Sequence, residues 1–442
     1  MQSGELLGIF TTLVALLSYL NSRYWRLPPT IGILLGGLAM AAVVRALDLL
    51  GLPPGPQVRA VVQSLPFDTL VLQGLLGFLL FASATQLDVR ALMRERRAVV
   101  AATLLTTLIT MLLIGTGVYL LLRLMGPAVS WTQALLFGAI IAPTDPVAVL
   151  PLLRAAHVPL RIQTLIAGES LFNDGVGVVA FTVLVAATPP NPETVTALGT
   201  VLLFLREMLG GLLLGALLGW LAVLLQRGTR DENTRLLVTL ALVVGGTALA
   251  QRLEVSAPVT VAMSGLTLVA LLQLWRRRAA QSGQLDRLSG EERHDLKRAR
   301  LRIISFWNFV DYIVNAALFT VMAFEVLILS VTAQLWLLIP AVILITLLAR
   351  TVGVWVPLTR LARRQPFMPY TRRLMIWSGL RGGVSLALAF NLPDSPVRNI
   401  WLVFTYALVV FSLLVQGLTI PLLARRIGRA AGEADPPAAP LT

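Results

Sequence analysis

The sequence predicts an all-α polytopic membrane protein, and three observations lead to that fold class. Of its 442 residues, 57% are hydrophobic and only 13% are charged, whereas soluble domains carry about 25% charged residues. The mean hydropathy is +0.81, and apolar runs of about 20 residues, long enough to cross a bilayer as helices, follow one another along the chain. These runs are too long and too uniformly apolar for barrel strands, so they indicate helices. Such a composition argues against a soluble enzyme or a disordered chain.

About 13 transmembrane helices are predicted, one for each apolar run. The runs lie at roughly 5–22, 29–47, 67–87, 98–122, 131–153, 161–187, 199–225, 235–251, 256–275, 304–326, 333–357, 371–391 and 399–423. Together with their connections they form one predicted transmembrane domain over residues 1–424.

Arginine sets the predicted orientation of these helices in the membrane. Most of the 36 basic residues lie in connections that follow odd-numbered spans. By the positive-inside rule this side faces the cytoplasm, which places the N terminus outside and the C terminus in the cytoplasm. Residues 276–302 then form a charged cytoplasmic loop, and residues 425–442 form a cytoplasmic tail. The pI near 11.3 therefore reflects membrane topology, and we expect no nucleic-acid partner.

Five ionisable residues stand out near the middle of the membrane, where a charge costs on the order of several kcal/mol. They are Asp145, Glu169, Asp174, Arg350 and Arg381. Charges at such depth typically mark an ion or substrate pathway. The chain has no cysteine and only two histidines, so the sequence predicts neither a thiolate nor a histidine metal site, and no cofactor.

In the fifth span, Pro143 and Pro146 lie on either side of Thr144 and Asp145. A proline lacks the backbone N–H and disfavours helix at the residue before it, so the pair predicts a break near mid-membrane. The break frees backbone carbonyls next to a hydroxyl and a carboxylate, and these oxygen atoms suit a small alkali cation. A simple proline kink, with an aspartate that reaches for the interface, is the alternative.

The sixth span carries two carboxylates together with a hydroxyl and an amide. Residues four apart stack on a helix, so Glu169 lies near Asn173, and Ser170 lies near Asp174. Helix packing through small and polar residues is the alternative. That alternative accounts for the serine but leaves two buried acids unexplained.

The twelfth span contains Arg381 among three glycines. Because glycine weakens a helix, this run predicts a second break. The spacing between the two breaks matches the spacing between the starts of spans 4 and 11, so spans 4–6 and 11–13 form two predicted three-helix units of opposite orientation. Inverted repeats with interrupted middle helices are typical of secondary transporters, whose binding site lies where the two breaks cross.

Arg350 lies in the eleventh span, inside a long apolar run. Its position favours a buried ion pair with a carboxylate, for which Glu169 is the candidate partner. An arginine that anchors the helix at the membrane interface is the alternative.

These residues resemble the motifs of the NhaP-type sodium/proton antiporters, which belong to the monovalent cation:proton antiporter superfamily. The matching motifs, in chain order, are Thr144-Asp145-Pro146, the stretch from Gly168 to Gly175, Ala349-Arg350 and the stretch from Gly379 to Gly383. The resemblance implies the NhaA/NhaP-like transporter fold and a homodimer. It further implies a core bundle at about 98–187 and 333–423, which moves against dimerisation and scaffold helices at about 5–87 and 199–326.

The resemblance also implies roles for the polar residues of spans 5 and 6. Asp174 would be the essential carboxylate that binds either the cation or a proton. Asp145, Ser170 and the carbonyl of Thr144 would complete a Na⁺ site. Asn173 would support the neighbouring aspartate.

Three further charged residues receive structural roles from the same resemblance. Glu169 and Arg350 would form a buried ion pair, and Arg381 would lie near the second helix break. None of the three would bind the transported cation.

The expected function is secondary active exchange of Na⁺ (or Li⁺) for H⁺ across the cell (inner) membrane by alternating access, in the service of pH homeostasis. Because position 173 is a neutral asparagine, where relatives with two adjacent aspartates are electrogenic, one-for-one electroneutral exchange is expected. K⁺/H⁺ or broad monovalent cation/H⁺ exchange on the same scaffold is the first alternative. A cation-coupled symporter of a small solute, or a channel, is the second. The sequence shows no histidine–serine–acid set and no phosphate-binding loop, so no enzyme activity is expected.

Overall fold

The computed structural model of the protein describes most of the chain. The described residues are 3–51, 75–95, 99–100, 102–146, 149–188, 197–229, 231–281, 290–326, 329, 331–362 and 370–434. All regular secondary structure within these ranges is helical.

Helices are numbered in chain order. They are α1 (Ser3–Leu20), α2 (Pro29–Leu49), α3 (Leu76–Gln86), α4 (Val89–Arg94), α5 (Thr107–Met125), α6 (Trp131–Ile141), α7 (Leu150–Ala155), α8 (Leu160–Ala186), α9 (Ala197–Gly228), α10 (Glu232–Arg252), α11 (Ala257–Gln281), α12 (Gly290–Glu325), α13 (Ala333–Ala362), α14 (Thr371–Trp377), α15 (Gly383–Phe390), α16 (Arg398–Phe411) and α17 (Leu418–Ala434). In the described part of the chain, π-helical segments extend them at Asn21–Trp25 after α1, at Ala102–Thr106 before α5, and at Ser412–Gly417 between α16 and α17.

These helices coincide with the predicted spans. Within the described ranges, nine helices are long and apolar enough to cross a membrane, and α3 and α6 are shorter apolar helices. The fifth and twelfth spans are each divided into two short helices, so the helices are consistent with 13 spans. The first part of the third span, residues 67–74, lies outside the described residues.

The charged stretch predicted as a loop at 276–302 is helical at both of its ends. Residues 276–281 continue α11, and residues 290–302 form the beginning of α12. Arginine and glutamate have high helix propensity, so the polar flanks can extend the helices beyond the apolar runs.

Both predicted breaks are present. The helix α6 ends at Ile141, the described residues 143–146 that follow are not helical, and α7 begins at Leu150. In the twelfth span, α14 ends at Trp377 and α15 begins at Gly383. The prolines of the first break and the glycines of the second account for these interruptions.

The chain divides into two compact units, which we describe separately. The first unit contains the described parts of Met1–Asp68, Glu95–Gly177 and Asn315–Thr442, and it includes both broken helices. Its core is aromatic: the ring of Phe137 in α6 stacks on that of Trp401 in α16, with centroids 4.9 Å apart. Large buried side chains therefore hold the first half of one broken helix against α16.

The second unit contains the described parts of Thr69–Arg94 and Val178–Val314. Small residues along α9 allow it to approach α11 closely. A Cβ atom added at Gly219 would lie 2.6 Å from the carbonyl oxygen of Ser264, too close for any side chain. Helices in membranes commonly pack through such small residues, because backbone contact replaces the hydrophobic effect that lipid cannot supply.

Candidate ion-binding site

The two helix breaks of the first unit contact each other directly. The backbone N–H of Asp145 donates a hydrogen bond to the carbonyl oxygen of Leu380 over 2.8 Å. From the other break, Nη1 of Arg381 donates to the carbonyl oxygens of Ala142 and Pro143, at 3.0 and 2.8 Å. The prediction that the broken helices cross is therefore confirmed.

Arg381 replaces hydrogen bonds that the first break removes. In a continuous helix the carbonyl of Ala142 would accept a hydrogen bond from residue 146, but Pro146 has no N–H. The last carbonyls of a helix also carry partial negative charge, which the guanidinium neutralises. Arg381 is only 2% exposed, so water does not reach its guanidinium. The two carbonyl oxygens accept the hydrogen bonds that water would otherwise accept.

Thr144 is held in the first break by hydrogen bonds from α8. Its N–H donates to Oδ1 of Asn173 at 3.3 Å, and Nδ2 of Asn173 donates to Oγ1 of Thr144 at 2.7 Å. The same hydroxyl lies 3.1 Å from Oγ of Ser170. All three residues are buried. The amide of Asn173 thus fixes the backbone of the break, a contact that sequence reasoning did not anticipate.

Asp174 is the buried carboxylate beside this network. The residue is 5% exposed, and no group in the described part of the chain donates a hydrogen bond to its Oδ1. The carboxylate of Asp145 lies near enough for the two groups to repel each other when both are ionised. An ionised carboxylate without a partner is costly in a low-dielectric interior, so this position favours a bound proton or a bound cation.

Gly382 gives the Asp145 side chain its space. A Cβ atom added at Gly382 would overlap Oδ2 of Asp145 and would lie 2.5 Å from its Cβ atom. The sequence suggested only that the glycines weaken the twelfth span. The structure adds that the second break presents bare backbone to the carboxylate of the first.

Glu169 and Arg350 form a bidentate ion pair between α8 and α13. Nη2 of Arg350 donates to Oε2 of Glu169 at 3.0 Å, and Nη1 contacts Oε1. Nη2 also donates to the carbonyl oxygen of Met375 in α14, at 3.0 Å. A Cβ atom added at Gly379 would lie 2.8 Å from Nε of Arg350, so this glycine admits the guanidinium. The pair connects three helices of the first unit.

The structure therefore brings the predicted residues together in two groups. One group surrounds the first break and consists of Thr144, Asp145, Ser170, Asn173 and Asp174, with the guanidinium of Arg381 on the break's carbonyls. The other is the ion pair of Glu169 and Arg350. The hydroxyl and carboxylate oxygens of the first group are the ligand atoms that a small alkali cation prefers. In the second group the two opposite charges already neutralise each other.

A helical membrane protein whose two broken helices meet beside a buried carboxylate is a secondary transporter in its class. A family profile described as "Sodium/hydrogen exchanger, transmembrane" matches residues 9–426. The chain belongs to this sodium/hydrogen exchanger family, which is a family of transporters.

Curated relatives agree with this assignment over nearly their whole length. The Na(+)/H(+) antiporter NhaP of Pseudomonas aeruginosa is 36% identical over 431 residues, which cover 96% of this chain and 96% of the relative. The Na(+)/H(+) antiporter NhaH of Halobacillus dabanensis is 30% identical over 430 residues, with the same coverage of both chains. The resemblance to NhaP-type antiporters is therefore confirmed.

A solved structure shares the fold. The sodium proton antiporter MjNhaP1 from Methanocaldococcus jannaschii, determined at pH 8, superimposes with a TM-score of 0.70 at 18% sequence identity, covering 96% of this chain and 98% of that one. At this identity the likeness is one of fold. It confirms the predicted all-α antiporter fold class.

Proposed function

We propose that this protein exchanges Na⁺ (or Li⁺) for H⁺, one for one, by alternating access, and that cation and proton compete for Asp174. The observation that carries the proposal is the environment of this carboxylate. It is buried beside a helix break, its Oδ1 receives no hydrogen bond from the described residues, and a second carboxylate lies nearby. Membership of the sodium/hydrogen exchanger family supports the choice of ions.

Competition at one carboxylate is sufficient for coupled exchange. A bare carboxylate is costly to carry through the low-dielectric barrier of the membrane. The mobile part of the protein therefore crosses only when the site holds a cation or a proton. No separate gate residue is needed, because an empty site does not cross.

The cation would be bound by Asp174 and Asp145, by the hydroxyl of Ser170 and by the carbonyl of Thr144. The hydrogen bonds between Thr144 and Asn173 support this set, because they fix the threonine next to α8. Asn173 itself is neutral and already bonded at both ends of its amide. It therefore offers no second proton to the cycle, which favours electroneutral exchange.

The remaining architecture follows the same proposal. The core bundle at about 98–187 and 333–423 moves against dimerisation and scaffold helices at about 5–87 and 199–326, in a homodimer. The protein lies in the cell (inner) membrane with its N terminus outside and its C terminus in the cytoplasm, as the arginine distribution indicates. The cytoplasmic side then carries the charged stretch at 276–302 and the tail at 425–442.

Proteoliposomes that contain a pH-sensitive dye test the proposal. A Na⁺ gradient should drive proton movement in the unmodified protein, and Asp174→Asn should abolish it. Asp394→Asn is the matched control, because the Asp394 side chain is fully exposed and its nearest ion-pair contact, to Arg398, is 3.9 Å long. Proton movement in Asp174→Asn at the unmodified rate would show that the exchange site lies elsewhere.

The same vesicles test ion choice and stoichiometry. Li⁺ should replace Na⁺, whereas an equal response to K⁺ would indicate a broad cation/H⁺ exchanger. An imposed membrane potential should leave the exchange rate unchanged. One Na⁺ crosses in one direction and one H⁺ in the other, so a full cycle moves no net charge. A rate that follows the potential would contradict one-for-one exchange.

A further inference from the structure

Ser412 binds the backbone of the second helix break from a neighbouring helix. It is the first residue of the π-helical segment Ser412–Gly417, which follows α16. Its Oγ accepts a hydrogen bond from the backbone N–H of Arg381 at 3.0 Å. The same oxygen lies 3.2 Å from the carbonyl oxygen of Arg381 and 3.0 Å from that of Val409, so the single hydroxyl proton is shared between two carbonyls.

This contact compensates for the interruption of the twelfth span. Between α14 and α15 the backbone has left the helical hydrogen-bond pattern, and buried N–H and C=O groups need other partners. Ser412 is 1% exposed, so water does not compete for its hydroxyl. One side chain from outside the broken helix thus satisfies the N–H group of Arg381 and contacts its C=O group.

Arg381 passes this constraint on to the first break. Its backbone is fixed by Ser412, and its guanidinium binds the carbonyls of Ala142 and Pro143. Those carbonyls immediately precede Thr144 and Asp145. The peptide unit between Leu380 and Arg381 also links the two breaks, because its N–H donates to Ser412 and its carbonyl oxygen accepts the N–H of Asp145, and this unit is planar.

We propose that Ser412 is a positioning residue that sets the affinity for the transported cation. Its hydroxyl holds the backbone of Arg381, whose guanidinium binds the carbonyls of Ala142 and Pro143, and thereby fixes the backbone that carries Thr144 and Asp145, two of the proposed cation ligands. A π-helical turn is uncommon and often lies at functional sites, which agrees with a role for this segment. The inference rests on the proposed exchange at Asp174, because it concerns the affinity of that site.

Ser412→Ala removes the hydroxyl and leaves the fold's apolar packing in place. We expect the KM for Na⁺ to rise about tenfold, which corresponds to about 1.4 kcal/mol and is the size expected for a lost buried hydrogen bond. Vmax should change less, and the preference between Na⁺ and Li⁺ should weaken. A variant that merely folds less well would lower Vmax, but the ratio of the KM values for Na⁺ and Li⁺ would stay the same.

Ser412→Thr should restore the affinity to within about twofold, because it keeps the hydroxyl. Ser412 borders a small cavity that is also lined by Thr346, Arg350, Gly379, Arg381 and Gln416. Thr419→Val is the matched control on the adjoining helix. It removes a hydroxyl that accepts a hydrogen bond from Nε1 of Trp377 at 2.8 Å, a bond between side chains that involves no backbone group of the break, and it should leave the KM unchanged.

Transport kinetics and the Na⁺-dependent shift of the thermal unfolding temperature should both report the change. If Ser412→Ala does not fold, Ser412→Cys provides the test, because a thiol bonds weakly and should give an intermediate KM. An unchanged KM in the folded variants, or an equal rise in Thr419→Val, overturns the inference. Those results leave the proposed function intact, since the proposed exchange site is tested separately by Asp174→Asn.

Discussion

Breaking the ion pair between Glu169 and Arg350 should be among the most destabilising single changes in the first unit. Glu169→Gln keeps the size of the side chain but leaves Arg350 with a charge that no carboxylate balances. Arg350 is 4% exposed, so water cannot replace the lost partner, and the remaining hydrogen bond to Met375 is to a neutral carbonyl. Removing one partner of a buried pair costs about 3–5 kcal/mol, and we expect a loss in that range.

A reversible denaturant titration in detergent measures the change in the free energy of unfolding. Glu254→Gln is the matched control, because Glu254 pairs with Arg206 at 2.6 Å while their side chains are 73% and 54% exposed. An exposed pair contributes about 0–1 kcal/mol. The two variants make the same chemical change, so their difference isolates the effect of burial.

The double variant Glu169→Gln/Arg350→Gln tests the origin of the loss. With both charges removed there is no unpaired charge to bury, so the double variant should cost less than the sum of the two single variants. A Glu169→Gln variant as stable as Glu254→Gln would refute the reasoning. Strict additivity of the two single variants would do the same.

Three other expectations concern the packing at the break, the competition at the carboxylate and one helix cap. Gly382→Ala should raise the KM for Na⁺ by at least about tenfold, since its Cβ would overlap the Asp145 carboxylate, whereas Gly245→Ala meets nothing within 4 Å and should leave transport unchanged. Competition at Asp174 predicts that the KM for Na⁺, measured in a pH series, rises as the pH falls, while a pH-independent KM would exclude it. Asp231 is the N-cap of α10. Its pKa is lowered by hydrogen bonds from Thr234, first from the side chain and second from the backbone N–H. Its stabilisation is present above the ordinary value of 3.8 and is lost as the pH falls through the lowered value, so Asp231→Ala should lower the unfolding temperature at neutral pH but not at strongly acid pH.

The sequence revealed most of the fold because the bilayer imposes strict limits on it. Apolar length predicts a spanning helix, and each of the 13 predicted spans has a helical counterpart in the described residues. The two breaks were predictable for the same reason, since Pro143, Pro146 and the glycines around Arg381 are unfavourable inside a helix. The helix ends were less predictable: α12 begins at Gly290, because charged residues with high helix propensity continue it beyond its apolar run.

The charged residues of the site were also visible in the sequence, since ions are rare at such depth. Their hydrogen-bond partners were not. Arg381 reaches carbonyls that lie more than two hundred positions earlier in the chain, and such a contact depends on tertiary packing. Ser412 left no signal either, because a serine in an apolar helix usually bonds its own backbone.

The guanidinium on the first break has a consequence for the vacant state of the transporter. Arg381 is part of the chain, so its positive charge stays at the carbonyls of Ala142 and Pro143, where the first helix half ends, whether or not a cation is bound. If the cation binds as proposed, its departure leaves uncompensated negative charge at the carboxylates of Asp174 and Asp145, and none at the helix terminus. Under the proposed exchange, a proton bound to Asp174 then replaces the positive charge of the metal ion.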